Sequence, residues 1–315
     1  MNKEYTINYF PHSRFYYVSS FINEIIKIKE SLRTKLKINL LFSHYEPNLE
    51  SVVSFLQTHN IESQYHIVQG GDYMGKVQTA LNNTTTEFFL KLDEDIFLPA
   101  SVWEFFLESS NELNDNENAF ISPILSTGIP TVDLFIEQFF DDKAKKEIFD
   151  IFLKVQFGVI WDVDYNSLNE YTVNAKEWNS DNFYNGVSKV DHYYKGIHPV
   201  RLSSEAQDYI TNYVISNFDR LLEKRDYSIL KTKKPYLCNN IVTLKTSTFA
   251  KIVADKSLFK DGFDEVPINL YMENNKLNML LINNGLGVHP SYNTIGNYYR
   301  TISDRFFSSK YFKND

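Results

Sequence analysis

The chain has 315 residues, 16% of them aromatic, with only 11 Gly and 9 Pro, so it is long enough for a sizeable core and is neither disordered nor a fibrous repeat. Its 32 basic and 40 acidic residues give a net charge of −8, which argues against a nucleic-acid partner because such binding depends on neutralising phosphates. Cys238 is the single cysteine, which excludes intramolecular disulfides, and no apolar leader or spanning segment is visible, so we expect a cytoplasmic protein.

Residues 1–110 alternate between short apolar runs and amphipathic stretches, a pattern typical of βαβ units. The predicted strands are TINYF (6–10), KINLLFS (37–43), YHIVQ (65–69) and EFFLKL (87–92). Apolar residues at helical spacing predict helices over residues 18–32, 48–60, 77–83 and 100–113. We therefore expect an α/β sheet covered by helices over residues 1–122.

The alternation fades after Pro123, and residues 123–235 are predicted to form a helical and irregular insertion or subdomain. One long helix is predicted over 131–157 and another over 203–227, where Ser204 and Gln207 have capping-box spacing, with loops over 161–196. The β pattern returns with strands predicted at 236–245 and 277–282 around a helix at 246–256. Residues 236–315 are therefore expected to complete the sheet and to end in a tail.

Residues 70–77, GGDYMGKV, nearly match a phosphate-binding P-loop. Gly70, Gly75 and Lys76 fit the pattern G-x-x-x-x-G-K-[S/T], but Val77 has no hydroxyl group with which to bind Mg²⁺. We expect instead a loop at a helix N-terminus, which either contacts a ligand or is a simple glycine-rich turn.

The fourth predicted strand runs into KLDEDIFLP (91–99). Asp93 and Asp95 point to the same side if the backbone stays extended through Asp95. They would then converge at the carboxyl end of a strand, where α/β sheets bind ligands, and carboxylate oxygens suit Mg²⁺ or Mn²⁺. The alternative is a solvated acidic turn before the helix predicted at residue 100.

Four βα units followed by an apolar strand ending in D-x-D resemble the nucleotide-binding half of GT-A glycosyltransferases, above all the bacterial family 2-like group. The resemblance implies a Rossmann-like sheet and a metal-dependent transferase that uses a nucleoside-diphosphate sugar, with UDP-sugars favoured. It makes Asp95 a ligand of Mn²⁺ or Mg²⁺ and places Asp93 beside it, near the ribose or a metal-bound water. By the same resemblance, nucleotide contacts are expected at Arg14, Glu46, Asp72 and Lys76.

Two downstream motifs extend the resemblance to GT-A enzymes. In FDEVPINLYMEN (263–274), Asp264 or Glu265 is the expected general base of an inverting reaction, or alternatively an acidic cap on a helix. In GVHPSYN (287–293), His289 is expected to complete the metal site, or is alternatively an ordinary turn residue. The acceptor is expected to be a hydroxyl group of a glycan, a lipid-linked molecule or a protein.

Other function classes stay open at this point. A haloacid-dehalogenase-like phosphatase also has D-x-D after an apolar strand, but there on the first strand and followed by Thr or Val where this chain has Phe97. A sugar nucleotidyltransferase would carry a Gly-rich, arginine-bearing loop, which INYFPHSRF lacks. A non-catalytic glycan-binding protein on a degenerate transferase fold is a third alternative.

The aromatic and basic tail YYRTISDRFFSSKYF (298–312) either touches a membrane surface or packs on the body of the protein. Frequent Lys, Asn and Ile indicate an AT-rich bacterial genome, which makes synthesis of surface polysaccharide plausible.

Overall fold

The computed structural model describes residues 4–11, 16–31, 35–46, 49–69, 73–128, 131–153, 200, 203–224, 226–232, 240–258 and 265–289. These residues form a mixed α/β fold in which an eight-stranded sheet is flanked by helices, as the sequence predicts. Among them, no helix combines the length and the hydropathy needed to cross a bilayer.

The strands and helices are numbered here in chain order. The strands are β1 (Glu4–Phe10), β2 (Lys35–Phe42), β3 (Glu62–Ile67), β4 (Phe88–Asp93), β5 (Asn118–Leu125), β6 (Ser228–Thr232), β7 (Ile241–Lys245) and β8 (Asn278–Gly287). The helices are α1 (Tyr16–Ser31), α2 (Leu49–Thr58), α3 (Tyr73–Asn82), α4 (Ala100–Ser109), α5 (Thr131–Phe139), α6 (Asp142–Leu153), α7 (Ser204–Leu222), α8 (Thr246–Ala254) and α9 (Glu265–Asn274).

The sheet order is β3-β2-β1-β4-β7-β5-β8-β6. β1 pairs in parallel with β2 and β4, and β5 pairs in parallel with β8. β7 lies between β4 and β5 and is antiparallel to both, so β4, β5 and β8 all run in the same direction. The carboxyl ends of these three strands therefore meet at one edge of the sheet, together with the amino end of β7.

The two faces of the sheet carry separate apolar clusters. Because side chains alternate along a strand, Tyr5, Ile7 and Tyr9 of β1 lie in one cluster with α1, α2 and α4. Phe10 lies in the other, with α3 and α5 to α9. Ring stacking supports both layers, since Tyr9 lies 4.3 Å from Phe21 of α1 and Phe89 lies 4.4 Å from Phe249 of α8, measured between ring centroids. The result is an α/β/α arrangement in three layers.

The four strands predicted in the first 110 residues are confirmed, and the largest boundary shifts occur at one strand and one helix. β3 is Glu62–Ile67 rather than 65–69, and α3 begins at Tyr73 rather than at residue 77. Gly75 and Lys76 therefore lie inside a helix, and the loop predicted over residues 70–77 is wrong from Tyr73 onward. Residues 70–72 lie outside the described part of the chain.

The single long helix predicted over residues 131–157 is wrong, because α5 ends at Phe139 and α6 begins at Asp142. The reason is a capping interaction: Asp141 Oδ1 accepts a hydrogen bond of 2.9 Å from the backbone N–H of Ala144. The same backbone bond is the main cause that lowers the pKa of Asp141. A second helix therefore begins inside the stretch for which periodicity alone predicted one continuous helix.

β5 and β6 are not among the strands predicted from the sequence. β5 is buried at every position, so it has no alternation of apolar and polar residues, and it contains Pro123. The predicted division of the chain at residues 122 and 235 stays a prediction; its first boundary falls within β5, and β6 lies inside the predicted insertion. The loops predicted over 161–196 lie outside the described residues.

Candidate functional site

The D-E-D motif lies at the point where β4 ends. Asp93 is the last residue of the strand, and Glu94 and Asp95 form a turn, so the strand alternation does not extend to Asp95. After the turn, Phe97 and Val288 exchange two backbone hydrogen bonds, each of 2.9 Å. This short antiparallel bridge fastens the end of the motif to the end of β8.

The bridge brings Asp95 next to His289. Asp95 Oδ1 lies 3.5 Å from His289 Nε2, and the side chains of Asp95 and His289 are only 10% and 1% exposed, respectively. His289 follows β8 and Asp95 follows β4, and two strands, β7 and β5, lie between these strands in the sheet order. The pairing that the sequence predicted between these two residues is therefore present in the fold.

Asp93 has a different set of neighbours. Its Oδ1 lies 2.6 Å from Lys91 Nζ, and its Oδ2 accepts a hydrogen bond of 3.2 Å from the Asn240 amide. The Asp93 backbone N–H also donates to the Asn240 carbonyl at 2.8 Å. Lys91 is 3% exposed, and its ammonium lies 5.6 Å and 5.7 Å from the ring centroids of Phe10 and Tyr73. Asp93 is thus held by a buried cation.

Lys76 lies in α3 rather than in a loop, and its Nζ donates a hydrogen bond of 2.9 Å to the Pro11 carbonyl. Burial lowers the pKa of Lys76, while the charges of Glu94 and Asp93 oppose that shift. This bond ties α3 to the segment that leaves β1. With 4% of its surface exposed, Lys76 positions the neighbouring backbone, and its contact with a nucleotide stays a prediction.

The distance between Asp95 and His289 is compatible with two donors to one metal ion. Ligands about 2.1 Å from one ion are at most about 4.2 Å apart, and the pair, at 3.5 Å, meets that limit. Among the described residues, no group of three or more His, Cys, Asp or Glu side chains is arranged to hold a metal. The pair therefore fits a hard divalent cation that takes its other ligands from water or from phosphate oxygens, as Mg²⁺ commonly does.

The other predicted site residues are placed less completely. Glu46 follows β2, and its Oε1 lies 2.7 Å from His44 Nε2. Glu265 is the first residue of α9, which confirms the predicted helix there, but its side chain is outside the described part. Arg14, Asp72 and Asp264 lie outside the described residues altogether. Their roles stay predictions.

Four residues that shape this site were not predicted from the sequence: Lys91 and Asn240, which contact Asp93, and Ser126 and Thr127, which form hydrogen bonds with His289. Lys91 had a usable signal, because a residue two positions before Asp93 in a strand lies on the same face. Asn240 and Thr127 had none, because they reach the site only through the pairing of β7 with β4 and of β5 with β8.

No family model and no curated protein match this chain. Among solved structures, it is similar to CMP:2-keto-3-deoxy-manno-octonic acid synthetase in complex with CTP, with 10% identity over 96% of this chain and 98% of that one and a TM-score of 0.38. The galactosyltransferase LgtC with donor and acceptor sugar analogues is 13% identical over 58% of this chain and 70% of that one, with a TM-score of 0.31. The inositol-1-phosphate CTP transferase from T. maritima is 8% identical over 95% and 96%, with a TM-score of 0.36. Likenesses this distant assign no function to the chain.

Proposed function

We propose that this chain is a metal-dependent glycosyltransferase of the GT-A type, which moves a sugar from a nucleoside-diphosphate sugar, with UDP-sugars favoured, to a hydroxyl acceptor. The observation that supports it is the meeting of Asp95 and His289 where the parallel strands β4 and β8 end. Open α/β sheets bind ligands at this edge. The Asp95 carboxylate and the His289 imidazole at this edge suit a metal-bound diphosphate. A second carboxylate, that of Asp93, lies in the same motif and is held by the Lys91 ammonium.

In this proposal Asp95 and His289 hold Mn²⁺ or Mg²⁺, and the ion, when bound, supplies positive charge to the departing diphosphate. Asp93 is fixed by Lys91 and Asn240, yet 25% of its side chain is exposed, so it retains surface with which to accept a hydrogen bond from a hydroxyl of the donor. Lys76 holds the backbone at Pro11, just before the segment that carries the predicted nucleotide contact Arg14.

Asp264 or Glu265 is proposed to take the proton from the acceptor hydroxyl as its oxygen attacks the sugar, with inversion favoured. Glu265 is the first residue of α9, where the helix dipole favours negative charge. Replacing each in turn, by Asp264→Asn and Glu265→Gln, separates them: the base is the residue whose loss abolishes sugar transfer while donor binding is retained. Retention of full transfer activity by both variants would remove this assignment.

Calorimetric titration with UDP, GDP and CMP, each with and without Mn²⁺, tests the proposal. We expect one diphosphate to bind, and to do so only with Mn²⁺. Asp95→Asn should abolish this binding, whereas Asp150→Asn, which changes an exposed carboxylate in α6, should leave it unchanged. A folded wild-type protein that binds no nucleotide under any of these conditions would overturn the proposal and favour the non-catalytic glycan-binding alternative.

The two other enzyme classes predict different products. A phosphatase would hydrolyse a phosphate monoester such as p-nitrophenyl phosphate through a nucleophilic Asp93, and a nucleotidyltransferase would release pyrophosphate from a nucleoside triphosphate.

Peripheral membrane contact through residues 298–312, which lie outside the described part of the chain, is tested by co-sedimentation with anionic vesicles before and after deletion of this tail.

A further inference from the structure

We propose that Thr127 is a positioning residue for His289: its hydroxyl group keeps a proton on Nδ1 and so leaves Nε2 as the nitrogen that serves a cation beside Asp95. The consequence for metal binding rests on the proposed function, whereas the assignment of the ring proton does not. Thr127 follows β5 and is 1% exposed.

The residues after β5 hold the backbone of His289 in place. β5 and β8 are parallel neighbours, paired as far as Leu125 and Gly287, so the residues that follow each strand emerge side by side. Ser126 Oγ accepts a hydrogen bond of 3.1 Å from the His289 N–H and donates one of 3.0 Å to the His289 carbonyl. The position of the imidazole ring therefore depends on the end of β5 as well as on β8.

The proton assignment follows from the single hydrogen of the Thr127 hydroxyl. Thr127 Oγ1 lies 2.8 Å from the His289 carbonyl oxygen and 2.8 Å from His289 Nδ1. A carbonyl oxygen only accepts, so Oγ1 donates its hydrogen there, and the carbonyl's second lone pair serves Ser126. Oγ1 is then the acceptor at Nδ1, which must carry the proton. The reverse arrangement would leave two oxygens 2.8 Å apart with no hydrogen between them.

A proton on Nδ1 determines how His289 Nε2 interacts with the Asp95 carboxylate. With the proton on Nδ1, Nε2 of the neutral ring presents a lone pair 3.5 Å from the Asp95 carboxylate, and a cation between them relieves the repulsion. Without the Thr127 hydroxyl, the ring proton moves to Nε2, where the carboxylate attracts it, and an incoming metal must displace that proton. Hydrogen-bond partners of this kind commonly change metal affinity about 10- to 100-fold.

Two substitutions of Thr127 test the inference with Mn²⁺ alone as the probe, the free ion being measured by electron paramagnetic resonance. Thr127→Val keeps the shape and removes the hydroxyl, and should weaken Mn²⁺ binding roughly 10- to 100-fold, while Thr127→Ser should restore it. The matched control is Thr211→Val in α7, another buried hydroxyl, whose Oγ1 has no hydrogen-bond partner among the described residues. It should leave Mn²⁺ binding unchanged.

A spectroscopic measurement tests the proton directly. In ¹⁵N NMR of the metal-free protein with the ring neutral, and with His289 assigned by comparison with His289→Gln, Nδ1 should be the protonated nitrogen in the wild type. In Thr127→Val the proton should reside on Nε2. A wild-type ring protonated on Nε2 overturns the inference.

The outcomes separate this inference from the proposed function. If Mn²⁺ binding needs Asp95 but is the same in wild type and Thr127→Val, the inference fails and the proposed function stands. If the wild type binds no Mn²⁺, with or without nucleotide, the proposed function fails, and the NMR result alone decides the role of Thr127.

Discussion

Two carboxyl groups, one on each face of the sheet, show how much a cation in direct contact matters. Glu24 lies in α1 and is 5% exposed; its Oε1 has no hydrogen-bond partner among the described residues, and burial raises its pKa to about 8, with Lys27 only partly opposing the shift. Asp93 lies on the other face, with 25% of its side chain exposed and the Lys91 ammonium 2.6 Å away. Burial that a more distant charge only partly offsets thus raises the pKa of a carboxyl group, whereas a buried ammonium in direct contact holds a carboxyl group in place.

The largest expected effect comes from Glu24→Gln and depends on pH. The folded protein holds the Glu24 proton up to about pH 8, whereas an unfolded chain releases it near pH 4.5, so wild-type stability falls as pH rises through that window. The Glu24→Gln variant does not lose stability in this way. At about pH 9 we expect it to be more stable than wild type by on the order of 4 kcal/mol, with little difference at about pH 4.5. Urea unfolding at a series of pH values measures both.

Glu30→Gln is the matched control, because Glu30 is an exposed residue near the end of the same helix. It should shift the free energy of unfolding by no more than about 0.5 kcal/mol at either pH. Equal pH profiles for wild type and Glu24→Gln would show that Glu24 does not retain its proton in the folded protein, and the contrast with Asp93 would disappear.

The next largest effect on stability is expected from substitutions in the Asp93–Lys91 pair. Asp93→Asn leaves the Lys91 ammonium buried without its carboxylate, and we expect a loss of about 3 kcal/mol in the free energy of unfolding. Lys91→Met should cost less, about 1–2 kcal/mol, because Asp93 is partly exposed and keeps its bond from Asn240. Urea unfolding of both single variants and of the double variant gives the coupling between the two side chains.

The double variant should cost less than the sum of the two single ones, because no uncompensated charge remains. As a control, Lys143→Met removes a cation from the exposed pair Lys143–Glu147 on α6, where the ions are 3.8 Å apart, and should cost under about 0.5 kcal/mol. Simple additivity at Lys91 and Asp93 would mean that their contact does not stabilise the fold.

The smallest effect on stability is expected at Asp95, although it belongs to the same motif. Asp95→Asn places an amide, whose N–H group can donate to the lone pair, beside His289 Nε2 and should change the free energy of unfolding by about 1 kcal/mol or less. Mn²⁺ binding should nevertheless be lost, because an amide is a poor substitute for a carboxylate as a metal ligand. Urea unfolding and Mn²⁺ paramagnetic resonance on the same variant measure the two effects. A large loss of stability with unchanged Mn²⁺ binding would assign Asp95 a structural role.

The parallel half of the sheet was predictable because its signals are local. β1, β2 and β4 are short apolar runs separated by amphipathic helices, and that pattern directly indicates βαβ units. In the mixed half, β7 and β8 were predicted from their apolar runs, but β5 and β6 were not, since β5 has no alternation and β6 (SILKT) is short and largely polar. Their place in the sheet comes from long-range pairing, with β8 lying between them.

The site divides in the same way. The D-x-D motif was found from residue type and position, and His289 from the resemblance to GT-A enzymes, while strand alternation could have added Lys91. One contact of each carboxylate was not decided locally: Asp93 meets Asn240 because β7 pairs with β4, and Asp95 meets His289 because Phe97 pairs with Val288. The sequence motif gives the candidate ligands, and the sheet order decides which of them meet.

The sequence by itself determined the α/β class, the position of the acidic motif after β4 and the chemistry of its candidate ligands, because these follow from local periodicity and from the side chains themselves. Only the tertiary structure decided that Asp93 contacts Asn240, that Asp95 faces His289, and that Thr127 contacts Nδ1 of that ring. The physical reason is the sheet order: β4, β7, β5 and β8 are distant in sequence, and their hydrogen bonding sets the distances between the side chains at their ends.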